Sequence, residues 1–256
     1  MVHPMRKSGQ FWLVLAFCIA ARAVSGQSIQ ALPPPRPLPP PLRAPSPLRP
    51  SPGGPPIAAV ERLGPNLYAI GRLRVDAANR EVSVSGRSND VTTLEFVANS
   101  MDGHKAYESA LTLDTNAVAF NTALLLIGLD VKHAKVPTQH FDPVAPQGDP
   151  VEIWVEWTSG SDRKRVRAEQ LLFDKRTNQP LPEGPWVYTG SSFLGPRYLA
   201  ELDGVLIGFV HSPSPIIENP RAGAVNAYGS VVFNKSLGLP PNTPVTLFVR
   251  ALPASP

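Results

Sequence analysis

The densest chemistry in this chain is the group Lys105, Tyr107, Glu108 and Ser109, inside the run His104-Lys-Ala-Tyr-Glu-Ser-Ala-Leu-Thr-Leu113. An amine, a phenol, a carboxylate and a hydroxyl are the parts of a Ser–Lys nucleophile pair or of a polar binding surface. The run alternates, which predicts a strand over Ala106 to Leu113. Alternation puts Lys105, Tyr107 and Ser109 on one face and Glu108 on the other. Lys105 and Ser109 are then roughly 13 Å apart, too far for the amine to activate the hydroxyl. The spacing therefore argues against that pair and reads as a strand with a polar face and a locally paired Glu, with Lys105, Tyr107 and Glu108 as the candidate binding residues. As exposed polar groups, Lys105 and Glu108 should each contribute about 1 kcal/mol or less to stability.

The histidines His104, His133, His140 and His211 supply the other candidates. None stands in a His-x-His or His-Glu-x-x-His spacing, and no metal or other cofactor is expected. The turns Thr189-Gly-Ser-Ser192 and Asn226-Ala-Tyr-Gly229 lack a phosphate-loop spacing. There is no Gly-x-Ser-x-Gly elbow, dinucleotide fingerprint or calcium loop. An enzyme built on this chain would have to assemble its site from distant loops, drawing on Lys105, Glu108, His133 or His140.

The strand leads into a helix. Ala117, Phe120, Leu124 and Ile127 recur at spacings of three and four. Asp114 or Thr115 can accept hydrogen bonds from the free N–H groups at its start, and Gly128 can end it. Leu125 and Leu126 widen the apolar face and predict burial on more than one side. Elsewhere the pattern is β. Arg72–Val75 and Glu81–Ser85 form a hairpin, and Thr92–Val97 is a strand. Val151, Ile153, Val155 and Trp157 alternate with Glu152, Trp154 and Glu156. The basic return Arg163-Lys-Arg-Val-Arg167 can place its charges opposite Glu152 and Glu156, a solvated face rather than a nucleic-acid patch. Ala168–Phe173 reads as helical turns, Asp203-Gly204 as a hairpin turn, and Val245, Leu247 and Val249 as the last strand. The sum is an α+β domain, a largely antiparallel sheet system with one main buried helix.

Lys105-Ala-Tyr-Glu-Ser109, a spacer and Ala123-Leu-Leu-Leu-Ile-Gly-Leu129 resemble the YdjY-domain family of bacterial proteins. Pro150-Val-Glu-Ile-Trp-Val-Glu-Trp157 and Trp186-Val-Tyr-Thr-Gly-Ser191 resemble it too, so the likeness spans residues 60 to 253. Many members carry a His where Tyr107 stands, so a role for a His at that position does not transfer. The resemblance implies a poorly defined function, and for some relatives a ferredoxin-like one.

The start of the chain predicts an address. Arg6 and Lys7, the apolar run Phe11–Ala21 and the small residues Val24-Ser-Gly26 have the layout of a signal peptide, residues 1–26. Cys18, the only cysteine, lies inside it. The mature chain then has no thiolate for an iron–sulfur cluster, and the ferredoxin-like implication does not carry over. Residues 27–58 form a proline-rich, disordered linker, and residues 59–256 the domain. Arg6, Lys7, Arg22, Arg36, Arg43 and Arg49 all precede Glu61, the first acidic residue; without these six the formal charge of +4 becomes −2. That balance argues against a nucleic-acid partner. No stable membrane span is expected once the signal is cleaved. The expectation is a secreted or periplasmic, non-enzymatic module that binds or scaffolds an unknown protein or ligand of the cell envelope. The alternatives are the loop-assembled enzyme and an electron-transfer accessory protein without its own cluster.

Overall fold

The computed structural model describes residues 59–221 and 229–253. The expected signal peptide and linker, residues 1–58, lie outside the described residues, as do Asn226–Tyr228. The domain starts as a meander. β1 (Val60–Gly64), β2 (Leu67–Ile70), β3 (Leu73–Asp76) and β4 (Glu81–Ser88) pair in order, all antiparallel. The expected hairpin over residues 72–85 is therefore present, and β1 has β2 as its one neighbour among the described residues. β4 outruns β3. Glu81–Asp76 to Val84–Leu73 are its pairs with β3, whereas Gly86, Arg87 and Ser88 pair with β6 (Ser109–Leu113).

That change of partner closes a barrel. β4 pairs with β17 (Pro244–Ala251), and β17 pairs with β7 (Asp149–Ser159). The sheet continues through β11 (Trp186–Tyr188), β15 (Ile217–Glu218), β14 (Val205–Gly208) and β5 (Phe96–Ser100), and β5 returns to β6. β5–β6 and β14–β15 are parallel pairs. The alternating residues fill the interior: Val82, Leu247, Val155, Trp186, Ile217, Ile207, Ala98 and Leu111 are each 0–1% exposed. Outside the ring, β8 (Asp162–Arg167) lies along β7. A second sheet joins β9 (Leu172–Asp174) to β10 (Gln179–Pro180) and β16 (Val231–Phe233). β12 (Phe193–Leu194) and β13 (Arg197–Tyr198) make a small hairpin.

The fold is thus mostly β, a closed eight-stranded barrel, and the α+β reading is corrected. The helix on which that reading leaned is α1 (Ala117–Leu126), only 10 residues long and packed against β3 and β14. The described residues hold one other α-helix, α2 (Leu199–Asp203). Periodicity reports which way a side chain points within a strand, but not that β6 and β17 both meet β4. Closure is a long-range property that the local pattern does not contain.

Further local details differ from the expectation. The strand placed at Thr92–Val97 starts at Phe96. Asp203-Gly204 does not turn a hairpin; Gly204 (φ 69°) takes the left-handed conformation that ends α2. Of the helical turns expected over Ala168–Phe173, Ala168–Leu171 forms one, of 3₁₀ type, while Leu172 and Phe173 belong to β9.

Asn116, rather than Asp114 or Thr115, caps α1, its Oδ1 accepting from Ala119 N at 2.8 Å. The carboxylate of Glu201 on α2 accepts from Ala117 N and Val118 N at 3.0 and 3.3 Å, which also favours the positive end of the helix dipole. At the other end Arg80 donates to the carbonyls of Ile127 and Gly128 at 3.1 and 3.4 Å. Ala117, Phe120, Ala123 and Leu124 are buried, but Leu125 and Leu126 are 49% and 37% exposed, so α1 buries one side and not two. Leu124→Ala should therefore lower stability by about 2–5 kcal/mol, and Leu125→Ala by about 1 kcal/mol or less. Urea unfolding of the two variants checks this; equal losses would show that the helix faces the core differently.

Candidate functional site

Lys105, Tyr107 and Glu108 do not lie on a strand. Lys105 (φ −95°, ψ 18°) leaves the extended region, and Ala106–Glu108 form a single 3₁₀ turn ahead of β6. Amides and hydroxyls beneath it hold this turn. Ser109 Oγ donates to the Lys105 carbonyl at 2.7 Å. Asn89 Nδ2 donates to the carbonyls of Ser109 and Ala106 at 2.9 and 3.3 Å. Thr112 Oγ1 lies 2.8 and 2.9 Å from Oδ1 of Asn89 and Asn99. The turn folds onto one side what alternation would have separated. Lys105 Nζ is 2.7 Å from Glu108 Oε1 and 3.2 Å from the Tyr107 hydroxyl. The ammonium also sits 5.5 Å from the Tyr107 ring centroid.

The expectation of two exposed polar groups fails for Glu108, whose side chain is 6% exposed against 35% for Lys105. Burial by itself pulls the Lys105 ammonium down, but the hydrogen bonds and charge of Glu108 and Tyr107 outweigh it and raise the group above the ordinary lysine range. Lys105 is thus a fixed cation and has no free amine to act as nucleophile or base near neutral pH. Ser109 is buried with its hydroxyl spent on a carbonyl.

The histidines do not converge on this turn. His140 Nε2 lies 3.3 Å from Glu95 Oε2, and Glu95 is buried. His211 is wholly buried, its ring nitrogens 3.0 and 2.9 Å from the carbonyl oxygens of Asp142 and Asn219. It ties the 138–144 loop to the end of β15. His104 and His133 are exposed. Among the described residues no group of three or more His, Cys, Asp or Glu is placed to hold a metal ion. None of their helices is long and apolar enough to cross a membrane.

The structure adds a cleft of about 520 Å³ between α1 and the segment running from β11 to β13. Val118, Leu125, Val131 and Phe193 give it apolar walls. Two phenols and an amide give it polar points. Tyr188 donates to Asn121 Oδ1 at 2.7 Å, and Tyr198 donates to the Gly190 carbonyl at 3.0 Å. Burial raises both phenols, Tyr188 to about 12, so both remain protonated donors. The Asn121 amide nitrogen has no protein partner among the described residues. Gly190 (φ 74°) and Ser191 (φ 66°) are consecutive left-handed residues that turn the chain at the cleft edge. A Cβ on Gly190 would come within 2.5 Å of Val131 Cγ1.

The YdjY-domain model matches residues 73–250, well over half of the chain. The protein belongs to the YdjY-domain family. Comparison with curated proteins and with solved structures returns no match. The YdjY match takes in the barrel strands, the Lys105 turn and every lining residue of the cleft.

Sequence reasoning missed Asn121, Tyr198 and Glu218. The first two carry no spacing signal, because α1 and the β13 region meet only in the fold. Glu218, in Ile216-Ile-Glu-Asn219, is an isolated acid after an apolar pair, which is a signal of burial. It is wholly buried. Its Oε1 accepts from Ser212 N at 3.2 Å, and its Oε2 has no partner among the described residues.

Two outcomes follow from these environments. Lys105 should resist amine acylation at pH 8.5 compared with exposed lysines such as Lys132, and Glu108→Gln should expose it to reagent, as read by peptide mass spectrometry. Equal labelling of Lys105 in both forms would break the fixed-cation assignment. Burial raises the Glu218 carboxyl well above its ordinary value of 4.5. A raised carboxyl binds its proton more tightly in the folded state, so its contribution is complete below the unfolded value and fades as pH rises toward the folded one. Melting temperatures from pH 4.5 to 8 should therefore fall more in the wild type than in Glu218→Gln. Parallel profiles would show that Glu218 is not neutral when buried.

Proposed function

We propose that this YdjY-domain protein is a non-enzymatic binding module that works outside the cytoplasm and engages a ligand or protein of the cell envelope. The observation that carries the reading is the α1 cleft. Its size and its mixture of apolar walls with a few polar points are those of a small-ligand site. The matching ligand has an apolar body and a hydrogen-bond acceptor for the Asn121 amide. Lys105 supports binding over catalysis, since its partners hold it as a charged landmark at the surface. The basic, apolar and small-residue layout of residues 1–26 supports export, and the proline-rich residues 27–58 support a tether.

Native mass spectrometry of the full chain, isolated gently from an envelope extract, tests the proposal. The expected result is a bound species that Leu125→Glu removes, because a charge on that wall would be desolvated by an apolar ligand. Leu125 is half exposed, so the variant should melt within a few degrees of the wild type. The bare protein mass from wild type and variant alike would reject the cleft as the ligand site.

A further inference from the structure

A second concavity, of about 770 Å³, lies at the seam of the barrel and shares no lining residue with the α1 cleft. It spreads over neighbouring ends of β4, β17, β7 and β8, beside the point where β4 exchanges β3 for β6. Register lays two rows across these strands. Ser85, Thr246 and Glu156 stand opposite one another and lead to Arg165. In the next row Arg87 faces Pro244, and Thr158 faces Arg163. Four strands spaced about 4.8 Å apart make a floor about 14 Å across.

The chemistry of this floor is donor-rich. The hydroxyls of Ser85, Thr158 and Thr246 have no protein hydrogen-bond partner among the described residues, nor has the Asn242 side chain. Three arginines line it, Arg72, Arg87 and Arg163, and Arg165 stands next to Glu156 in the first row. They meet two carboxylates. Glu156 is shared by Arg163 and Arg165, and Asp114 stands 3.9 Å from Arg72. Arg87 has no carboxylate partner among the described residues. This excess of positive charge lies in a domain whose own formal balance, from residue 59 onward, is −2.

We propose that the seam floor binds an acidic oligosaccharide, a short chain of hydroxyl-rich rings carrying carboxylates. The planar guanidinium of Arg87 can take a carboxylate through two parallel hydrogen bonds. The unpartnered hydroxyls and the Asn242 amide match ring hydroxyls, which are both donors and acceptors. The floor is wider than a single inorganic anion, and its hydroxyl row lies between the Arg87 end and the Arg163 end. The site does not depend on the α1 cleft.

Calorimetric titration of the full chain with trigalacturonate and with a hyaluronate tetrasaccharide tests this, with maltotriose and inorganic phosphate as the neutral and bare-anion probes. At least one acidic sugar should bind, more weakly as salt rises. Arg87→Ala should weaken it by about tenfold, the loss of a charge-assisted contact, and Arg87→Lys by less. Maltotriose should bind at least about tenfold more weakly than the acidic sugar. Leu125→Glu should leave the titration unchanged, which separates this site from the cleft. Four results would overturn the proposal: no heat with either acidic sugar, equal binding of maltotriose, phosphate binding as tightly as the sugars, or an Arg87→Ala variant of unchanged melting temperature and unchanged affinity.

Discussion

The pairing of Gly86 with Leu113 is the contact on which this architecture depends. It joins the second half of β4 to β6 and turns a long sheet into a ring. The join is tight. A Cβ at Gly86 would fall 2.4 Å from the Thr112 carbonyl oxygen, so the seam needs a residue without one. Closure gives each strand of the ring a partner on both sides, which removes the exposed edge a sheet would otherwise offer there. It also determines where the other elements sit. β3 cannot follow β4 past the seam, so the meander β1–β2–β3 stands off to one side and α1 covers ground between β3 and β14.

The polar turn at Lys105 follows from the same join. β5 and β6 run parallel, so the chain must travel back between them, and the return is Met101 to Glu108. A return packed against the barrel carries carbonyls that need donors. Asn89 supplies them to Ala106 and Ser109, and Ser109 supplies one to Lys105. The backbone of the turn is thereby held from below, and the Lys105–Glu108 pair gains its geometry from that support. A buried carboxylate with one cationic partner is costly to leave unpaired, so the pair also anchors the turn that displays it.

Much of this could be read from residues alone, and the limits have physical causes. β4, β7 and β17 were legible because each has one face in the barrel and one in water, which imposes strict alternation. The pairing of Arg163, Arg165 and Arg167 with Glu152 and Glu156 was legible because a hairpin makes register local. The resemblance carried by Lys105–Ser109 and Ala123–Leu129 pointed to the right family. Barrel closure was not legible, since nothing in β6 announces β4 as its neighbour. Glu108 was misplaced because alternation was extended through a 3₁₀ turn whose cause, the Asn89 amide, lies outside the run. The α1 cleft was invisible for a similar reason. Leu125 looked like core, and the exposed leucine wall appears only when Tyr188 and Tyr198 are brought opposite it.

Among the described residues β1 keeps a partner on one side alone, and Val60 and Leu63 on this strand are about half exposed. Such an edge invites a second copy. Two copies pairing antiparallel about a two-fold axis normal to the sheet can only match residues of equal parity, because directly opposite side chains share a face. Centred on this five-residue strand, that symmetry sets Arg62 against its own image, like charge on like. The Val60–Gly64 strand thus contains a symmetry conflict in its centred register, a charge clash that disfavours full pairing with a second copy of itself.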